Sequence, residues 1–432
     1  MLISRNVTPM KVVLQSVLIN DPRSTYFGSI KDILVKDGII MSIEDNIGTE
    51  DAVVFKEQGC VASPGWVDTF AHFNDPGTEY KETIESGAEA AAAGGFTTVL
   101  VLPNTQPVID TKSAVEYIMA KNDRLPTRVL PIGAVTRRAE GKELAEMYDM
   151  STNGAAAFSD GLYPIQSSGI LVKALQYLKA INGVLIQVPD DTSLSANGLM
   201  NEGVISTRLG LPGKPMMAEE LLVARDIKLA RYTQSRIHFT GVTSPKSIDY
   251  ISRAKASGLA VTCSVTPYHL FFSDEDLMDY DTQLKVNPPL RTVKDRDALR
   301  EAVLNGVVDT IATHHFPHDF DAKIVEFEYA KYGMIGLESA YGAVKAAIPG
   351  ISETRLGELF SLNARKIFNL PDARVEAGQP AAITLHLPEN SFVFSKEHIR
   401  SKSDNSAFFG KPLKGRIAGT ISGKHYRFNK LS

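Results

Sequence analysis

The sequence predicts an α/β fold: a (β/α)8 barrel of the TIM type carrying a small β module made from both ends of the chain. Three observations predict it. Between about residues 61 and 370, short apolar runs alternate with helical stretches, and strand and helix in strict turn give a parallel sheet. The two ends, residues 1–60 and 371–432, read as strands without helices between them. A chain of 432 residues is also long enough for one barrel of roughly 250 residues or more and a smaller module beside it.

Taken in order, residues 11–19, 31–36 and 39–43 are expected as strands, with Asp37-Gly38 as a hairpin signal between the last two. The barrel pattern opens on the stretch from Val61 to Asp110. An apolar run there ends in polar residues, helical composition follows over 79–93, and Gly94-Gly95 stops the helix before a buried strand at 96–102. Further strands are expected at 128–135, 183–188, 236–242, 260–265 and 309–313. Residues 217–233 form an amphipathic helix whose apolar Leu221, Leu222, Ala224, Ile227 and Leu229 suit the outside of a barrel. The chain closes with strands at 382–387, 415–422 and 426–428.

Composition narrows the partners. Hydrophobic residues make up 44% and charged residues 22%, and the net charge is −4, so neither nucleic acid nor an acidic membrane surface is implied. Cys60 and Cys263 are expected as buried thiols rather than a disulfide framework. No apolar run approaches roughly 18 residues, so no membrane span is expected and the chain reads as cytoplasmic.

Within the opening stretch Asp68, Phe70, His72 and Asn74 stand at alternate positions, and alternate positions of an extended chain share one face. Two of the four are of types that bind metals, at the strand end where α/β barrels build their sites. The stretch resembles the opening of the dihydroorotase family of the amidohydrolase superfamily, which runs Pro-Gly-x-x-Asp-x-His-x-His-x-Arg-x-Pro-Gly. Against that pattern Phe70 stands at the first metal-binding His, His72 at the second, and Asn74 at the Arg that holds a substrate carboxylate.

The resemblance continues along the chain. Phe158-Ser159-Asp160-Gly161 is similar to the family's Ser-Asp-Asp-Gly and keeps one metal-binding carboxylate, Asp160, although Ser-Asp-Gly by itself equally reads as a turn. Gln187 stands at a metal-binding His. In the segment from Ile237 to Ser244, similar to His-x-x-His-x-Ser, the first His remains as His238 and the ligand is Gly241; His238 alone reads as a structural imidazole. Ala312-Thr313-His314-His315-Phe316-Pro317-His318 resembles Ala-Thr-Asp-His-Ala-Pro-His, with His314 at the catalytic Asp. Asn104 and His318 match substrate-holding positions, and Asn287, in Lys285-Val286-Asn287-Pro288-Pro289-Leu290-Arg291, sits at the pocket rim; loop architecture is their alternative reading.

The resemblance implies a β-sandwich beside the barrel, and it sets two functional expectations. The first is a dihydroorotase-like protein of pyrimidine biosynthesis that has lost catalysis, retains no catalytic residue, forms a homo-oligomer and serves as structural partner of aspartate carbamoyltransferase. The alternative is a working cyclic-amide hydrolase that interconverts dihydroorotate and carbamoyl-aspartate at a mononuclear site of His72, Asp160 and His314, since two His and a carboxylate can activate water. No cofactor, or at most one zinc ion, is expected.

Overall fold

Eight short strands follow one another around a ring, each parallel to the last, in the computed structural model, which describes residues 10–430. They are Trp66–Ala71, Phe96–Val101, Arg128–Gly133, Ala157–Phe158, Leu185–Gln187, Ile237–Phe239, Val261–Val265 and Thr310–Ile311. The ring closes where Ala71 pairs with His315 and the His72 N–H donates to the His315 carbonyl at 2.8 Å. A buried carboxylate reinforces the closure: the Thr313 N–H and Oγ1 donate to Asp68 Oδ1 and Oδ2, both at 2.7 Å. Asp68 therefore faces the seam of the barrel, and the shared face expected of Asp68, Phe70, His72 and Asn74 divides between seam and mouth.

The interior just below the mouth is apolar. Phe70 packs in one cluster with Leu100, Leu102, Ile186, Val188 and Ala312. The Ala-rich helix runs Ile84–Ala93, five residues shorter at its start than the composition suggests. Thr83 caps it by accepting the Ser86 N–H, which leaves residues 79–82 as loop at the barrel mouth. Helix Met217–Thr233 forms where expected, but its face is rotated: Leu221 is exposed, and Glu219 and Asp226 are buried. Both carboxylates have buried donors. Glu219 accepts the backbone N–H groups of Thr243 and Ser244, and Asp226 accepts from Gln187 and Arg225.

The ends of the chain form one eight-stranded sheet. Lys11–Ile19, Ile30–Lys36, Ile39–Glu44, Val53–Lys56 and Val61–Pro64 join Ala382–Val393, Pro412–Ser422 and His425–Phe428, so this sheet reaches Pro64 before the barrel begins at Trp66. Asp37 and Gly38 both take positive φ, 49° and 84°, as the tight hairpin requires. Residues 1–9 and 431–432 of the terminal module lie outside the described residues. Sheet and barrel are joined through Trp66, which stacks on Phe360 at 4.9 Å, while the Trp66 N–H donates to Thr384 Oγ1 and the Gly65 N–H to the Ala382 carbonyl. Among the described residues no helix is long and apolar enough to cross a membrane.

Replacing Asp68 by Ala leaves two buried donors on Thr313 without an acceptor, and urea titration should record a loss of about 3 kcal/mol. Burial pushes the Asp68 carboxyl up to about 6, against the pull of its bonds from Thr313. Because that value lies above the ordinary one near about 3.9, its protonation contributes stability that is complete below pH ~4 and lost as pH rises through 6. The stability of the wild type relative to Asp68→Asn should fall across that window.

Candidate active site

A cavity of about 390 Å³ opens at the C-terminal ends of the barrel strands. Its walls include Phe70, Leu102, Tyr268, Asn287, His314 and His318, together with Lys81 and Lys331; no carboxylate among the described residues lines it. Lys81 comes from the loop that precedes the Ala-rich helix. Lys331 belongs to a loop tied down by two buried ammonium groups, Lys323 donating to the carbonyls of Thr282 and Lys331 at 3.0 and 2.7 Å, and Lys285 to those of Phe327 and Glu328 at 2.6 and 2.9 Å. The cavity thus joins aromatic walls to positive charge.

Three of the replaced positions form one packed unit. The His314 ring lies 4.5 Å from the Phe70 ring, and a Cβ placed on Gly241 would stand 2.7 Å from His314 Cε1. Gly241 also has φ 68°, so the position excludes a side chain twice over. A ligand at 241 and a histidine at 314 cannot coexist in this packing. Thr240 Oγ1 lies 2.8 Å from His314 Nε2 and accepts a hydrogen bond from Ser264 Oγ, which leaves the Thr240 proton for His314. With the Thr240 proton on that contact, His314 Nε2 accepts and the ring proton sits on Nδ1. Burial, with His269 and His238 nearby, pulls His314 down to about 3, so the ring is neutral.

The other expected ligands turn away from the cavity. The Asn74 N–H donates to His72 Nδ1 and His72 Nε2 donates to the Asn104 carbonyl, both at 3.0 Å, so both ring nitrogens are used. Burial pulls this imidazole down to about 4. Asp160 Oδ1 accepts the N–H groups of Val135 and Thr136 at 2.9 Å, and Oδ2 accepts the Thr136 hydroxyl. Burial pushes its carboxyl up to about 6. Gln187 is engaged with Ile165 and Asp226, and His238 Nδ1 is paired with Thr262.

His72, Asp160 and His314 do not converge. Among the described residues no group of three or more His, Cys, Asp or Glu side chains is placed to hold a metal ion. The mononuclear zinc site expected from these three is corrected accordingly: two of them have become internal hydrogen-bond anchors, and the third packs against Phe70 in a neutral, apolar setting that opposes a dication. The residues present do not fit the metal.

Of the residues expected to hold substrate, His318 and Asn287 line the cavity and Asn104 does not. The Asn104 amide donates to the Asp160 carbonyl and accepts the Leu162 N–H, both at 3.0 Å, and it fills the space over Gly161, where a Cβ would stand 1.8 Å from Asn104 Oδ1. Asn74, at the position of the substrate Arg, is buried, and its Nδ2 has no partner among the described residues. Sequence reasoning misses Lys81, Lys331 and Tyr268. Lys81 is legible in principle, because the Thr83 cap signal places it in a loop at a strand's C-terminal end; the other two lie in stretches whose approach to the mouth depends on tertiary folding.

Residues 59–247 match the family model described as dihydro-orotase-like. The chain is 40% identical over 418 residues to the dihydroorotase of Syntrophus aciditrophicus, covering 95% of this chain and 98% of that one. It is 37% identical to the dihydroorotase of Aquifex aeolicus, covering 95% and 98%. Among solved structures, the L-hydantoinase (dihydropyrimidinase) from Arthrobacter aurescens superposes with a TM-score of 0.82 at 22% identity over 98% of each chain, a likeness of fold. These relatives overturn the expectation of a noncatalytic partner of aspartate carbamoyltransferase: chains about 40% identical over nearly the whole length carry the name of the enzyme, and nothing among them marks a noncatalytic branch. With a nearly closed parallel barrel, a terminal sheet and this degree of identity along its length, the chain belongs to the dihydroorotase-like family.

Proposed function

We propose that the chain is a cyclic-amide hydrolase of the dihydroorotase type, interconverting dihydroorotate and carbamoyl-aspartate in the cavity at the barrel mouth. The observation that carries this reading is a pair of neutral imidazoles on one cavity, to which their hydrogen-bond partners assign opposite tautomers. His314 accepts through Nε2 and so offers an Nδ1–H donor. His318 Nε2 donates to the Tyr332 carbonyl at 2.8 Å, so its Nδ1 is an acceptor, buried in the cavity wall and without a partner among the described residues. A cyclic amide presents the complement of this pair, a carbonyl oxygen and an N–H. The aromatic walls suit a flat ring, Lys81 and Lys331 suit its carboxylate, and the dihydroorotase relatives support the identity of the ring.

In the hydrolytic direction a C–O bond forms from water to the ring carbonyl carbon, the ring C–N bond breaks, and the water proton passes to the leaving nitrogen. His314 Nδ1–H stabilises the charge that develops on the carbonyl oxygen. His318 Nδ1, closed off from solvent in this structure, accepts the proton from water once substrate entry opens its side of the wall, and delivers it to nitrogen. Both rings have values of about 3, so each is neutral at pH 7 and His318 is a weak base, which favours slow turnover. No step is assigned to a metal.

Two outcomes are expected. Protein purified and exhaustively chelated should retain its turnover of dihydroorotate, and His314→Ala should lower kcat by about two orders of magnitude, the scale of a lost oxyanion donor; no turnover by the wild type at any metal loading overturns the proposal. The pH profile of kcat/KM should show no inflection from His314 or His318 near pH ~6.5, where an ordinary histidine titrates, because both are held at about 3. KM should instead rise toward alkaline pH earlier than an ordinary lysine would make it, because burial lowers the pKa of Lys81.

A further inference from the structure

Asn287 stands in a partition. It lines the cavity described above and also a second one of about 410 Å³, and Tyr163 and Tyr332 are likewise common to both. Its side-chain amide is held from one side only. Lys214 Nζ donates to Asn287 Oδ1 at 2.8 Å and to Asp190 Oδ2 at 2.7 Å, and Lys214 is buried. An ammonium group has donors and no acceptor, so the oxygen of Asn287 must face Lys214. The amide Nδ2 has no hydrogen-bond partner among the described residues, and it is the end left for the cavity.

The backbone of Lys214 is fixed by the same motif that carries Asn287. Arg291, four residues on, is buried and donates through Nη1 to the Lys214 carbonyl at 3.2 Å and to Asn201 Oδ1 at 2.9 Å. Its Nε donates to Thr243 Oγ1. The short parallel pair Met200–Asn201 and Gly213–Lys214 is thereby locked against the loop over the mouth. Asp190 supplies the opposite charge that keeps the buried ammonium group in place.

We infer that Lys214 is a positioning residue: anchored by Asp190 and Arg291, it fixes the flip of the Asn287 amide so that a donor pair, and never the carbonyl, faces the ligand. The inference rests on the proposed substrate only for the ligand's identity. A carboxylate or carbonyl oxygen requires that donor pair, and an amide free to flip offers an acceptor part of the time. Asp190 and Lys214 would then act on affinity without touching the ligand.

The test uses the full chain, with Lys214→Met, Lys214→Arg and Asp190→Asn. Two readouts are taken: the side-chain 15N–1H2 resonance of Asn287, assigned by its loss in Asn287→Ala, and calorimetric binding of dihydroorotate. Lys214→Met should shift the resonance and weaken binding about tenfold, the scale of one charge-assisted hydrogen bond. Lys214→Arg should restore both in large part, and Asp190→Asn should shift the resonance less than Lys214→Met does. An Asn287 resonance that does not move in Lys214→Met overturns the inference, whatever ligand is bound. A wild type that fails to bind dihydroorotate overturns the substrate reading instead, while the resonance still decides the role of Lys214.

Discussion

A carboxylate buried in the seam of the barrel is the constraint from which the rest follows. Asp68 takes both donors of Thr313, and beside it the His72 N–H meets the His315 carbonyl, so the first and last strands are held in one register. That register carries Phe70 and His314 to the same depth and brings their rings together. It also sets the segment from His315 to His318 under the mouth, where Nδ1 of His318 has no partner among the described residues. An open seam would let the two strands slide, and a slip of one residue would turn Phe70 and His314 to opposite faces.

Desolvation then decides what these groups do. The imidazoles of His72, His314 and His318 are all buried and all pulled well below the ordinary histidine range, so they act as hydrogen-bonding groups rather than charges. Asp160 and Asp226 are pushed the other way by the same burial and serve as acceptors for nearby backbone or side-chain donors. Positive charge at the mouth rests on Lys81 and Lys331, side chains long enough to reach it, while burial pulls Lys285 and Lys323, surrounded by carbonyl oxygens, down to about 8 and about 7. The result is a cavity whose His314 and His318 are neutral and whose rim carries lysines.

Much of this architecture is legible in the amino-acid sequence. Alternation of strand and helix, the Asp37-Gly38 turn and the β-rich ends are local patterns, and each leaves its mark there. Ala157–Phe158 leaves none, because two residues carry no periodicity, and the helix from Met217 is misread as to its face because Glu219 and Asp226 are buried by partners distant in sequence. The site is legible in its residue types and misleading in their roles. His72 and Asp160 keep the positions of ligands, but whether a nitrogen or an oxygen is free depends on backbone groups at Asn74, Asn104 and Val135 that no motif displays. Lys331 carries no signature of its own, since a lysine in a loop is ordinarily a solvated surface group, and Lys81 is marked only by its place just before a capped helix.

The packing of Phe70, Gly241 and His314 bears on how such a mouth can change over generations. The ring at 314 occupies the volume over residue 241 and so requires a glycine there, and the ring at 70 covers the ring at 314. A single reversion at 241 would meet an occupied space, and one at 314 would leave a gap lined by Phe70 and a bare glycine. Substitutions of this kind show sign epistasis, in which a step harmful by itself becomes acceptable after another has been taken. The order of change at these positions therefore matters: a side chain at 241 becomes admissible only once the ring at 314 has gone, so a route back to a ligand at 241 has to begin elsewhere.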